Sequence, residues 1–199
     1  MAEVTVSNVY AETTFTATYQ NVSATCTVNV QSYIFRDGGV TGDVNTNYTN
    51  ISNRCIIAID TAGTKVSSNT YADSYYRENV LIQGDFRATF TIVDVQMFGG
   101  VAFLNTSNSK QFMVEYNLYD SPNKLFLSIG STDYLLSNDI SLPKTITMER
   151  VGTTITVKMN GTQVGSSQTV TSADGYLAWK THSDKSRSVK FKDFTIEAL

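Results

Sequence analysis

Tyr75, Tyr76 and Arg77 stand together in "NTYADSYYRENV", with Tyr71 shortly before them. Aromatic rings beside a guanidinium suit sugar recognition: the apolar face of a sugar lies on a ring while planar polar groups catch its hydroxyls. Tyr119 and Asp120 repeat the pairing beside the Pro-bearing turn of "EYNLYDSPN". Eleven tyrosines against one tryptophan is the composition of an adaptable polar contact surface. Tyrosine also favours strands, so each ring has a structural reading beside the functional one. These six residues are the candidates for ligand binding.

A second chemistry is suggested by "FRDGGVTGDVNTNYTN", which gathers Asp37, Asp43, Asn45 and Asn47. All four offer hard oxygen donors of the kind calcium takes. The spacing is not that of an EF-hand, since neither the glycine nor the closing glutamate follows. An Asx-rich loop that uses its side chains to make turns accounts for the same residues.

Hydrolysis of a glycosidic bond needs two carboxylates ~5–9.5 Å apart. The six glutamates are Glu3, Glu12, Glu78, Glu115, Glu149 and Glu197, and none has an acid two positions on within a strand. Glu115 and Asp120 come nearest, but their odd separation sends them to opposite faces. His182 is the sole imidazole and no nucleophile motif accompanies it. In "GYLAWKTH" alternation places Trp179 with Leu177, as a core anchor, and turns His182 the other way, at the lip of a polar loop. The chain does not read as an enzyme.

The elements that must position these residues are strands. Period-two alternation runs from "TFTATYQ" and "ATCTVNV" through "RCIIAID", "DFRATFTIVDV", "KQFMVEYNL" and "NKLFLSIG" to "SVKFKDFTI". Short strands joined by Gly, Asn, Asp and Ser turns predict an all-β antiparallel sandwich or barrel. In "KTITMERVGTTITVKMNGTQVGSS", Ile146 and Met148 point inward, Val151 to Thr153 turn the chain, and Ile155, Val157 and Met159 return. Asn160-Gly161 then supplies the two positive-φ residues of a tight hairpin. Val189, Phe191, Phe194 and Ile196 share a face only if an extra residue intervenes near Lys192-Asp193, which predicts a β-bulge.

Cys26 and Cys55 each sit in an alternating strand pattern, so a bridge and two buried thiols both fit. Sequons at Asn21, Asn47, Asn50, Asn105 and Asn160 matter only in a glycosylating compartment. A net charge of −3 with no block of like charges offers no basic face for nucleic acid. No apolar run approaches the ~18 residues of a membrane span, so membrane insertion is not expected.

The order "GDFRATFTI…GGVAFLN", "FMVEYNL…LFLSIG", "ITMERVGTTITVKMNGTQVGSS" and "GYLAWKT…VKFKDFTIEAL" resembles the concanavalin A-like lectin/glucanase superfamily, above all its laminin-G-like and pentraxin-like modules. The resemblance implies an antiparallel jelly-roll β-sandwich over residues 33–199, and a calcium at the rim in some relatives. Residues 1–32, with "FTATYQNVSATCTVNV", are similar to the last hairpin of bacterial Ig-like repeats, which serve as stalks in prokaryotic adhesins and viral tail proteins.

The function expected from these readings is a non-catalytic recognition module for a glycan or cell-surface receptor, with no required cofactor and calcium as an option. A viral tail receptor-binding protein is preferred to a cell-surface adhesin, because the Met start carries no export or anchor signal. That places the protein on a virion tail or at a cell surface. A structural decoration domain with oligomer contacts through exposed edge strands, or a polysaccharide-degrading enzyme, are the alternatives.

Overall fold

Alternating side chains leave the backbone one economical way to satisfy its polar groups, and the computed structural model is built from strands throughout its described residues. These are residues 13–19, 22–28, 33–37, 48–51, 53–118, 124–182 and 187–199. The chain divides into two units, Met1–Tyr33 and Ile34–Leu199. In the first, β1 (Thr13–Tyr19) and β2 (Val22–Val28) pair antiparallel, with Thr13 opposite Val28 and Tyr19 opposite Val22.

The larger unit holds two sheets. Its strands begin with β3 (Tyr33–Asp37), β4 (Tyr48–Ile51), β5 (Cys55–Asp60), β6 (Gly63–Ser68) and β7 (Ser74–Glu78). Next come β8 (Phe86–Gln96), β9 (Phe98–Asn105), β10 (Lys110–Asn117), β11 (Lys124–Ile129) and β12 (Thr132–Ser137). The remainder are β13 (Lys144–Val151), β14 (Thr154–Met159), β15 (Thr162–Gln163), β16 (Gln168–Thr169), β17 (Gly175–Thr181) and β18 (Ser188–Ala198). One sheet runs β12-β11-β10-β9-β17-β7-β4; the other runs β15-β14-β13-β8-β18-β6-β5, with β16 on β14 and β3 on β18. Neighbours along both paths are antiparallel. This is an all-β jelly-roll sandwich.

Aromatic residues from both sheets fill the space between them. Trp179 of β17 is 1% exposed and stacks on Phe191 of β18 at 3.6 Å, while Phe90 of β8 meets its edge at 5.3 Å. Each such pair is worth about 0.5–1.5 kcal/mol beyond the area it buries. Nearer the other end, Phe103 of β9 stacks on both Phe86 and Phe112. The buried guanidinium of Arg150 lies 5.0 Å and 4.8 Å from the Phe86 and Phe103 rings. Arg150 donates to the carbonyls of Ala173 and Gly84, which ties two loops to the core.

The local predictions from pattern hold here. β13, β14 and β15 form the expected meander, and Asn160 and Gly161 adopt φ of 49° and 82°. In β18 the register against β8 shifts between Lys192 and Thr195, with Asp193 at φ 54°, so Phe191 and Phe194 both reach the core. Cys55 is a free, buried thiol, its pKa pushed up to about 12 by burial, so of the two readings of this cysteine the buried thiol holds and the bridge does not.

Three of the sequon asparagines have internal work. The Asn50 amide bonds both backbone groups of Cys55; the Asn105 side-chain carbonyl accepts from Ser107 and Ser109; the Asn160 side-chain carbonyl accepts from Thr145.

One core position breaks the apolar rule. Glu78, at the end of β7, is fully buried and accepts hydrogen bonds from the backbone N–H of Leu177 at 2.8 Å and of Val80 at 2.5 Å. Burial pushes its carboxyl up to about 8, against the smaller opposing pull of those two N–H groups and of Arg77.

Candidate functional site

β9 and β17 lie in the middle of the seven-stranded sheet and are covered on both faces. Their inward row, with Val101, Phe103, Leu177 and Trp179, belongs to the core; Ala102, Leu104 and Ala178 face outward, with Met113 and Phe126, as a second buried cluster. That outer face is where the site forms.

The key position is Gly100. A Cβ there would fall 2.0 Å from the Val114 carbonyl oxygen, so β9 and β10 approach too closely for any side chain. Glu115 of β10 and Lys180 of β17 both stand directly opposite Gly100, one on each side. With nothing between them, the Lys180 ammonium donates to the Glu115 carboxylate across the gap, at 2.6 Å. Side-chain exposures of 6% and 5% make this a buried ion pair. Burial holds the Glu115 carboxyl above its ordinary value, and the Lys180 charge offsets only part of that.

A second carboxylate approaches the same cation. Asp73, in the turn before β7, has an oxygen 3.7 Å from the Lys180 ammonium nitrogen and 2.5 Å from His182 Nδ1. Burial pushes the Asp73 carboxyl up, but Lys180 and His182 together outweigh it and hold the group below the usual carboxylate range. Tyr75 stands opposite Lys180 on β7. Its phenol is raised, first by burial and then by the negative charges of Asp73 and Glu115. The His182 ring meets the Phe98 ring edge-on at 5.6 Å.

Of these groups, Glu115, Lys180, Asp73, His182 and Phe98 line a cleft of about 220 Å³, and Tyr75 does not. Lys180, Glu115, Asp73 and His182 form its charged side. Met113, Phe126 and Phe98 supply apolar wall, and Lys110, Ser128 and Asp133 complete the rim. Ser128 donates to Asp133.

The residues singled out from sequence are distributed unevenly around this cleft. Tyr75 and Arg77 do face outward on β7; Arg77 donates to Asn108 and lies over the Tyr176 ring at 4.1 Å. Tyr76 does not belong with them: it is 3% exposed, points into the core and stacks on Tyr48 at 4.8 Å. Adjacent residues of a strand take opposite faces, so the triplet cannot form one surface. Tyr71 is 90% exposed in the turn before β7 and does not line the cleft.

Tyr119 and Asp120 lie outside the described residues, as do Asp43, Asn45 and Asn47 of the calcium loop, while Asp37 closes β3. Among the described residues no three His, Cys, Asp or Glu side chains come together as a metal-binding set. Trp179 is the core anchor that alternation predicts. His182 stands just past the end of β17 with its side chain 42% exposed, as the lip position predicts, and Asp73 holds its ring.

Pattern reading does not find Asp73, Glu115 and Lys180 as a group. The signal present in the sequence is the Gly99-Gly100 pair inside an apolar strand, which marks close backbone approach.

The two packed antiparallel sheets, with a cleft on the outer face of one, define an all-β jelly-roll sandwich. No protein-family model matches the chain, and no curated protein matches it. Solved structures of the same fold include carbohydrate binding module CBM66 from Bacillus subtilis, at 13% identity and TM-score 0.58, over 76% of this chain and 96% of that one. A legume lectin-like domain from Entamoeba histolytica aligns at 9% identity and TM-score 0.61, over 83% and 97%. Alginate lyase AlgAT5 from Polysaccharide Lyase family 7 aligns at 10% and 0.54, over 81% and 92%. Identities this low establish a shared fold, and one fold hosts both binders and enzymes.

Proposed function

We propose that the sandwich is a non-catalytic glycan-recognition module whose ligand seats in the cleft over Gly100. The observation that carries this reading is the cleft itself: fixed polar groups at one side, apolar side chains at the other, all held on strands. Sugar sites pair these elements, with ring C–H groups against apolar surface and hydroxyls against oriented donors and acceptors. Likeness in fold to a carbohydrate binding module and a lectin-like domain supports it.

The arrangement argues against hydrolysis. A glycosidase needs its two carboxylates to flank an open space for the scissile bond. Here Asp73 and Glu115 flank an ammonium, and Lys180 occupies the position a sugar bond would need.

The finer placement, as a receptor-binding protein on a viral tail, is the one we prefer; the similarity of the N-terminal hairpin to the end of an Ig-like stalk repeat fits it and a cell-surface adhesin alike. A gene neighbourhood of secretion and wall-anchoring functions, with no virion genes, would overturn that placement.

The test is a glycan array followed by amide chemical-shift mapping with each hit. Perturbation centred on Gly100, Met113, Glu115 and Lys180, with no new reducing ends on incubation, is the expected result. Shifts confined to another surface, or release of sugar fragments, would overturn the reading.

A further inference from the structure

Resting on that reading, we propose that the cleft selects an uncharged saccharide, taken as a single terminal ring, and discriminates against acidic sugars. The charge inventory of the cleft points this way. Three carboxylates, Asp73, Glu115 and Asp133, face it against the two ammonium groups of Lys110 and Lys180 and the imidazole of His182, which Asp73 already holds.

The deepest charges are already committed to each other. Lys180 lies 2.6 Å from Glu115 and 3.7 Å from Asp73, and Asp73 also holds His182. A uronate or sialate carboxylate seated at the deep end, away from the exposed Lys110 of the rim, would have to draw Lys180 away from Glu115. That would leave Glu115, 4% exposed, as a buried anion without its cation. It would also bring the incoming anion beside Asp73. Surface cations that bind polyanions are normally open to solvent and unpaired, and Lys180 is neither.

An uncharged ring meets no such penalty. An ammonium has three N–H donors and a carboxylate has several lone-pair sites, so a paired Lys and Glu still have capacity for hydroxyl groups. The bare backbone at Gly100 lets Glu115 and Lys180 meet across β9, and Met113 and Phe126 offer apolar contact for the C–H face. The volume of about 220 Å³ is below the ~300–1,000 Å³ of drug-sized sites, which fits a chain end rather than an internal run of sugars.

The experiment uses the full chain and matched ligand sets: a neutral oligosaccharide hit, the same backbone oxidised to uronate, and the corresponding amino sugar. Calorimetry gives affinities, and amide shifts report the location. Expected are a neutral preference over uronate of about tenfold or more, and neutral affinity that changes by less than about twofold across salt that screens surface charge. Shifts from the neutral ligand should appear with its reducing end blocked or extended, since only the terminal ring enters.

In Glu115→Gln, Lys180 loses its closest anion and the neutral-over-uronate gap should narrow. Equal or tighter uronate or amino-sugar binding in the cleft would overturn the selectivity while leaving a glycan site intact. An unchanged or wider gap in Glu115→Gln would do the same. Failure of every saccharide to move the cleft amides would instead sink the underlying reading.

Discussion

Replacing Glu78 by glutamine should invert the stability ranking of the two proteins between acid and alkaline pH. Folding moves this carboxyl from an ordinary 4.5 to about 8, and the largest cause is burial. For an acid raised in the folded state, the protonated form is the one the fold favours. The stability it contributes is complete below about pH 4.5 and drains away as pH rises through about 8. The gap between 4.5 and about 8, at about 1.4 kcal/mol per pH unit, amounts to roughly 5 kcal/mol. A glutamine in this place does not titrate, but its NH2 group faces a backbone N–H of Leu177 or Val80. That leaves a buried donor unsatisfied, at a cost of about 1–3 kcal/mol. Urea denaturation at pH 5, 7 and 9 reads both effects. Glu78→Gln should be the less stable protein at pH 5 and the more stable at pH 9, by about 2–4 kcal/mol. A difference that stays constant with pH, or a variant still weaker at pH 9, would refute the argument that burial outweighs the two N–H donors.

Breaking the buried pair should cost far more than removing it. Lys180→Met alone leaves Glu115 unpaired and should lose about 3–5 kcal/mol, whereas Lys180→Met with Glu115→Leu should recover most of it, measured by chemical denaturation. At the bulge of β18, Asp193→Gly should be neutral or stabilising, and Asp193→Val should cost about 1–2 kcal/mol, because φ of 54° suits only glycine without strain. Phe191→Ala, which removes the ring under Trp179, should cost about 3–5 kcal/mol and shift the tryptophan emission of the folded protein to the red. In a Cys26→Ser background, the Cys55 thiol should resist aromatic disulfide reagents until urea unfolds the chain.

Where neighbours in sequence decide the structure, pattern is enough. The Asn160-Gly161 turn, the meander from Lys144 to Gln163 and the bulge at Asp193 all follow from residues within one or two strands of each other. Trp179 is assignable by alternation alone. The cleft is not, because Glu115 and Lys180 meet only once β9 is placed between β10 and β17, an order that alternation does not encode. Asp73 joins them from a third segment. Tyr76 escapes for a different reason: the run Tyr75-Tyr76-Arg77 has the composition of a contact cluster, and in a strand its members must part. Glu78 carries no mark of burial in its neighbours, and only the packing of β7 beside β17 takes it into the core.

The close approach of β9 and β10 at Gly100 also bears on how such a fold can change over time. Its contacts come from strand register, so a deletion of one residue within β9 would exchange the two faces. Val101 and Phe103 would turn to the outer face, while Ala102 and Leu104 would turn toward the core. The cleft and the fold would then be lost in one step. Length variation should therefore be confined to the turns, and changes to the cleft should arise by substitution at outward positions that line it, such as Met113, Phe126 and Ser128. A diversified library restricted to those positions would explore ligand space while leaving the hydrogen-bond ladder untouched.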